Sequence, residues 1–254
     1  MSDRIVPIAD SFWNVRGSFK LNGRVDIGTQ CSLARLADGS YALLDAYTLE
    51  GDVKDRIFAR THDGRDISAV LHLHPFHTTH VAPVAAQLPH AVHYGSARHR
   101  SREPGLRWSP LSVDTEAFRE YFAADFEFWM PRGVPFISDD PRVHFSSVLA
   151  IHRDSRTLHV DDTLGWNPIL GFRGVGFHPT LALALEGRPG AASEFREWAK
   201  ELAIRARTID HIVTAHSRTL PPAARRGPGL EPTVRRALKW VEPVLAFHTR
   251  RWGK

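Results

Sequence analysis

The chain has 254 residues, a formal net charge of +5 and a single cysteine, Cys31. That length supports one sizeable core, and near-average apolar, charged and aromatic fractions exclude disordered and fibrous chains. A lone thiol excludes internal disulfides and thiolate-rich zinc sites and fits a reducing, cytoplasmic setting.

No apolar run reaches the roughly 18 residues of a membrane-spanning helix. The N-terminal MSDRIVPIADSFW lacks the continuous apolar core of a signal peptide, so a soluble protein with no membrane partner is expected. The excess positive charge is mostly arginine, much of it late in the chain, at Arg225, Arg226, Arg235, Arg236, Arg250 and Arg251. No aromatic-interleaved basic motif accompanies it, so these residues read as the solvated face of C-terminal helices, and nucleic acid is not an expected partner.

In chain order, strands are expected at Arg4–Ile8, Gln30–Leu36 and Tyr41–Asp45, with Asp38-Gly39 as a hairpin turn. A helix over Leu49–Ala59 precedes a buried strand, Ile67–Leu73. A short helix over Val81–Leu88 then leads to a strand at Ala91–Tyr94. This alternation implies a layered α/β fold. Gly95–Leu111 reads as a loop, followed by a helix capped near Asp114 or Thr115 and ending near Ala124. Strands return at Glu127–Met130, Val143–His152 and Thr157–Asp161, the last two joined by an Asp154-Ser155 turn. A helix starting near Ser193 places Phe195, Trp198, Ala199 and Leu202 on one face. Ile212–Ala215 is a short buried strand, and Thr233–His248 is a final amphipathic helix disturbed at Pro243. Gly187–Gly190 is a natural breakpoint, yet the strand after it must join an existing sheet, so one domain over 1–254 is expected.

Four histidines, His72, His74, His77 and His80, crowd the turn HLHPFHTTH between a buried strand and a helix. Binding residues favour such edges, where rigid elements position them and the loop stays accessible. Neutral imidazoles suit Zn, Fe, Mn or Ni. The alternative is that they cap turns or pack among aromatic rings. The sequence holds no Ser-His-Asp arrangement with nucleophile-elbow spacing and no Gly-rich phosphate loop.

The segment VLHLHPFHTTHVAPVAAQLPHAVHYG resembles the signature region of the metallo-β-lactamase superfamily: a strand ending in Thr-His, then x-His-x-Asp-His, then a helix and a strand. With one extra residue in the turn, His74, His77 and His80 match the three histidines and Thr79 takes the aspartate position. A gapless register instead matches His72, His74 and His77, with Phe76 at the aspartate position. The first keeps the downstream helix in phase and is preferred; both lose the aspartate. HFSSVLAIHRDSRTLHVDDTL is similar to the segment carrying the next ligands. It offers His144 and Asp162, with Asp161 replacing the family's glycine. HIVTAH offers His216 as the last. His144 could instead merely begin a strand, Asp161 or Asp162 could cap a turn, and His216 could bond locally to Ser217. His90, His93, His99, His178 and His248 match no family position.

The resemblance implies a four-layer αββα sandwich with His74, His77 and His144 holding one metal and His80, Asp162 and His216 a second. Asp162, the bridging residue, also carries the catalytic role. The implied cofactor is zinc, one or two ions, with Fe or Mn as substitutes. The implied function is a metal-dependent hydrolase acting at a carbonyl or phosphoryl centre of a small-molecule substrate. Loss of the turn carboxylate leaves two other readings open: a non-catalytic metal- or ligand-binding member of the same fold, and an iron-dependent oxygenase.

Overall fold

The computed structural model describes residues 3–21, 23–166, 174–217, 219–221 and 229–253; Arg225 and Arg226 lie outside them. Strand β1 (Arg4–Ala9) pairs antiparallel with β2 (Phe12–Gly17). A short hairpin, β3 (Lys20–Leu21) and β4 (Val25–Asp26), leads to β5 (Thr29–Arg35), which turns back into β6 (Tyr41–Leu44). Helix α1 (Gly51–Arg60), β7 (Ile67–Leu71), α2 (Val81–Gln87) and β8 (Val92–Tyr94) follow. The sheet order is β1-β2-β5-β6-β7-β8. Strands β6, β7 and β8 run parallel because α1 and α2 supply the crossovers that parallel pairing requires.

Helices α3 (Ala97–Arg102) and α4 (Glu116–Tyr121) lead into β9 (Phe126–Trp129), β10 (Leu149–His152) and β11 (Thr157–Val160). A small pair, β12 (Leu164–Gly165) and β13 (Gly176–Phe177), precedes α5 (Leu181–Ala184) and α6 (Ala191–Arg205). Strand β14 (His211–Thr214) and α7 (Glu231–Trp252) complete the described elements. The second sheet has the order β14-β11-β10-β9, with β14 parallel to β11.

Strand alternation sorts the side chains into layers. Trp13, Val15, Leu33, Leu43 and Val70 face α1 and α2 through Val53, Ile57, Val84 and Leu88. Phe12, Ala34, Ala42, Leu44 and Leu71 point the other way and meet Phe126, Phe128, Ala150 and Val213 of the second sheet. The far side of that sheet presents Ile151, Leu158 and Ile212 to Phe195, Trp198 and Leu202 of α6 and Val234 and Leu245 of α7. The result is the four-layer αββα sandwich.

Some expected elements differ. Strand β2 escapes a hydropathy reading because Asn14 and Arg16 occupy its inward positions, yet every residue of it is buried. The stretch expected as strand from Val143 forms strand only from Leu149; before it, Val148 N donates to the Leu73 carbonyl and Ser147 N to Thr163 Oγ1. Within the expected loop Gly95–Leu111, Ser96 caps the helix α3 by a reciprocal bond with His99. Helix α7 runs unbroken through Pro243. Pro243 and Lys239, whose carbonyl the proline cannot serve, are both exposed, so water can satisfy that carbonyl.

Trp198 is 2% exposed and touches Phe177 and Phe195. Trp198→Ala is expected to cost about 3–5 kcal/mol, read as a lowered urea midpoint. An unchanged midpoint would show that this ring does not anchor α6.

Candidate metal centre

Two pairs of parallel strands, one pair in each sheet, carry the candidate residues just past their carboxyl ends. Asp45 follows β6, the turn His72–His80 follows β7, Asp161 and Asp162 follow β11, and His216 follows β14. Ligand sites favour the carboxyl ends of parallel strands, where chains diverge and leave a crevice.

His77, Asp161, Asp162 and His216 each bring one ligand atom into a group lying within 4.8 Å. His77 Nδ1 is 2.6 Å from Asp161 Oδ2, and its Nε2 is 3.6 Å from Asp162 Oδ2. His216 Nε2 is 2.9 Å from Asp162 Oδ1. His74 stands beside the group, its ring stacked on His77 at 4.1 Å and its Nε2 3.3 Å from Asp162 Oδ2.

The other two residues matched to ligand positions lie in the cavity wall. His80 begins α2; its Nδ1 bonds Thr48 Oγ1 at 2.8 Å and its ring lies against Tyr47. His144 stacks on Phe76 at 4.7 Å and directs Nε2 to the Pro141 carbonyl at 2.6 Å. Thr79 also lines the cavity, at the position where the resemblance expects a carboxylate. Asp161 supplies a second carboxylate from the opposite sheet. His72 points elsewhere: it is buried with His93, Nε2 to Nδ1 2.9 Å, and packs on His99 and Trp108.

Beneath the site, polar side chains cross between the sheets and grip the backbone of each ligand-bearing turn. Asp45 Oδ1 accepts from Leu73 N at 2.7 Å, next to His74, and Oδ2 bonds His159 Nε2 at 2.9 Å. Gln30 Nε2 donates to the Val160 carbonyl at 2.9 Å, next to Asp161. Arg16, 1% exposed, donates to the Thr214 carbonyl at 2.8 Å and to the Ser217 carbonyl, on either side of His216. Asp45 and His216 adopt left-handed backbone (φ 59° and 48°), strain that a surrounding network must hold. Sequence reasoning missed Arg16, Gln30 and His159. The trace of Arg16 and Gln30 was polar residues at the inward positions of FWNVRG and QCSL, whose alternate positions are apolar.

Burial disfavours charge on all these groups, and their mutual fields decide the outcome. For His77, burial is outweighed by Asp161 and Asp162, which raise its pKa well above the ordinary histidine value. His216 is raised by Asp162 against the same penalty. Asp162 is held well below the usual carboxylate range, the charges of His216 and His74 overcoming burial, whereas burial raises Asp161. Burial and the His77 charge keep His74 neutral. Asp161 Oδ1 and His74 Nε2 are buried and make no hydrogen bond. Two imidazoles and two carboxylates with such unbonded atoms fit a borderline or hard divalent cation. The group forms the floor of a cavity of about 490 Å³, also lined by Phe19, Phe76, Trp166 and His178.

Elemental analysis of purified variants is expected to show metal lost in His77→Ala and His216→Ala and retained in His72→Ala. The reverse pattern would move the centre to the His72 cluster. Binding a cation requires the raised histidines to give up their protons. Apparent zinc affinity should therefore fall as pH drops below their raised pKa values, by up to about 100-fold per pH unit if both protons are displaced. A competition titration giving a pH-independent affinity would contradict this.

No protein-family model and no curated protein matches this sequence. Solved structures do. A metallo-β-lactamase from Erythrobacter litoralis, with β-mercaptoethanol in its active site, superposes with TM-score 0.62 at 12% identity, covering 95% of this chain and 97% of that one. The DIM-1 metallo-β-lactamase gives 0.61 at 11% identity over 95% and 99% of the two chains. FIM-1 from Pseudomonas aeruginosa, in a mono-zinc form, gives 0.60 at 10% identity over 95% and 96%. With the layers and strand order described above, these matches establish that the chain has the metallo-β-lactamase fold.

Proposed function

We propose that the protein is a metal-dependent hydrolase of a small-molecule substrate, with zinc as its metal. The observation that carries this reading is the group His77, Asp161, Asp162 and His216 at the floor of the cavity. The similarity to FIM-1, whose structure is a mono-zinc form, supports the choice of metal. The fit of His80 and His144 to Thr48 and Pro141 supports one tightly held ion rather than two. A bound divalent cation would polarise the scissile carbonyl or phosphoryl group and acidify water.

The chain's own residues do the rest. His77, His216 and Asp162 would hold the cation, with His74 behind them. Asp161, a residue of the cavity lining whose Oδ1 makes no hydrogen bond, accepts the proton of the attacking water and returns it to the leaving group. It takes over the work that Thr79 cannot do, because a hydroxyl neither carries charge nor accepts a proton well at neutral pH. Arg16, Gln30 and Asp45 keep these groups aimed.

With zinc-loaded protein and a panel of nitrophenyl esters and phosphates, Asp161→Asn should lower kcat by about 10²–10⁴-fold while retaining metal. Asp162→Asn should lose both metal and turnover. Full turnover after exhaustive chelation would refute the metal dependence, no turnover of any substrate by the zinc-loaded protein would refute the hydrolase reading, and iron in the purified protein would favour an oxygenase.

A further inference from the structure

The walls of the cavity differ in chemistry from its floor. Phe19, Leu21, Ile27, Phe76, Trp166 and Pro179 form an apolar surface above the acidic and imidazole groups. Phe19 and Leu21 remain 39% and 46% exposed, apolar area that an occupant would cover. The cavity's volume of about 490 Å³ falls in the range that encloses most of a small organic molecule.

Arg142 is the one lysine or arginine among the described lining residues. It is already engaged: Nε and Nη2 both bind the Asp140 carboxylate, at 3.0 and 2.7 Å. His178, a further lining residue, is kept neutral by burial and bonds Thr180 Oγ1 at 2.8 Å. Against this stand three lining carboxylates, Asp45, Asp161 and Asp162. Among the described lining residues, one divalent cation on the floor would balance Asp161 and Asp162 and leave no surplus positive charge to attract an anion. A carboxylate or phosphate on the non-reacting part of a substrate would meet no unengaged cationic side chain among the described lining residues, and burying it there is costly.

We propose that the substrate is an uncharged carboxylic ester, open-chain or lactone, whose non-reacting part is an apolar chain or ring lying against Phe76, Leu21 and Trp166. The ester part rests on the hydrolase reading; the apolar, uncharged part rests on the cavity wall alone. In the reaction, water oxygen bonds to the acyl carbon and the acyl C–O bond breaks. One water proton goes to the departing alcohol oxygen and the other leaves with ionisation of the product acid.

Two measurements test the proposal separately. The first is equilibrium binding of 4-phenylbutyramide and 4-phenylbutyrate, followed by ligand-observed NMR. The amide should bind at least tenfold more tightly than the acid, and Phe76→Ala should weaken amide binding by about five- to tenfold with metal content unchanged. Tighter binding of the acid, or no effect of Phe76→Ala, overturns the assignment of the wall. The second is turnover of p-nitrophenyl acetate, butyrate and hexanoate beside the anionic mono-p-nitrophenyl glutarate. kcat/KM should rise at least tenfold from acetate to hexanoate, and the glutarate should fall at least tenfold below butyrate. A preferred anionic ester, or preferred nitrophenyl phosphate, overturns the substrate class while leaving a hydrolase. Selective amide binding with no ester turned over refutes the hydrolase and the ester, and upholds the uncharged apolar occupant.

Discussion

Everything at the candidate centre depends on a polar seam buried between the two sheets. Arg16, Gln30 and Asp45 all belong to the first sheet or its edge, and each hydrogen-bonds a backbone group beside a ligand-bearing residue. Burying a guanidinium is expensive unless its donors are used. Here Arg16 donates to Asn14 and Gln30 side chains as well as to the Thr214 and Ser217 carbonyls. Bonds with a charged partner contribute about 1.5–3 kcal/mol each, enough to offset much of that cost. Apolar side chains could fill the same volume but could not hold the Thr214 and Ser217 carbonyls in register. The seam therefore serves aim more than stability, and it explains how two strained residues, Asp45 and His216, persist where they do.

The second feature is the position of the carboxylates. In the turn after β7, in the preferred register of the resemblance, Thr79 takes the position where aspartate is expected. At the end of the β10–β11 hairpin, Asp161 takes the position where the resemblance expects glycine. Asp161 Oδ2 reaches the same turn, at His77 Nδ1, across 2.6 Å. The negative charge near the turn is thus supplied from the facing sheet instead of from the turn itself. Because Asp161 and Asp162 are adjacent in sequence and both buried, their fields oppose each other. The neighbouring histidines favour ionisation of Asp162, so the pair divides into a charged member and one more easily protonated, a division suited to one holding a cation and the other a proton.

Much of this architecture was legible in the sequence because its signals are local. The apolar run ending at Leu71, the histidine turn, the Asp38-Gly39 hairpin and the face Phe195, Trp198, Leu202 all announce themselves within a few residues. The ordered motifs around His74, His77, Asp162 and His216 marked a set that folding does bring together. Where the reading stopped, the deciding facts were distant. Asn14 and Arg16 look like solvent-facing residues until a second sheet covers them. Whether Nε2 of His144 meets a neighbour's carbonyl or a cation depends on how the segment before β10 turns, which hydropathy does not encode. The part Asp161 plays depends on the gap between two sheets.

The Arg16 contact with Ser217 joins residues 201 positions apart, and that of His77 with Asp161 spans 84. Closing such long loops is entropically costly and must precede any reward from the contact. Neither half of the sandwich can assemble the centre alone, because His74 and His77 ride on one sheet and Asp161, Asp162 and His216 on the other. During folding the centre is thus a late product, formed when the sheets dock. A cation bound there would act on the unfolding rate more than on the folding rate, since it stabilises contacts that the early nucleus lacks.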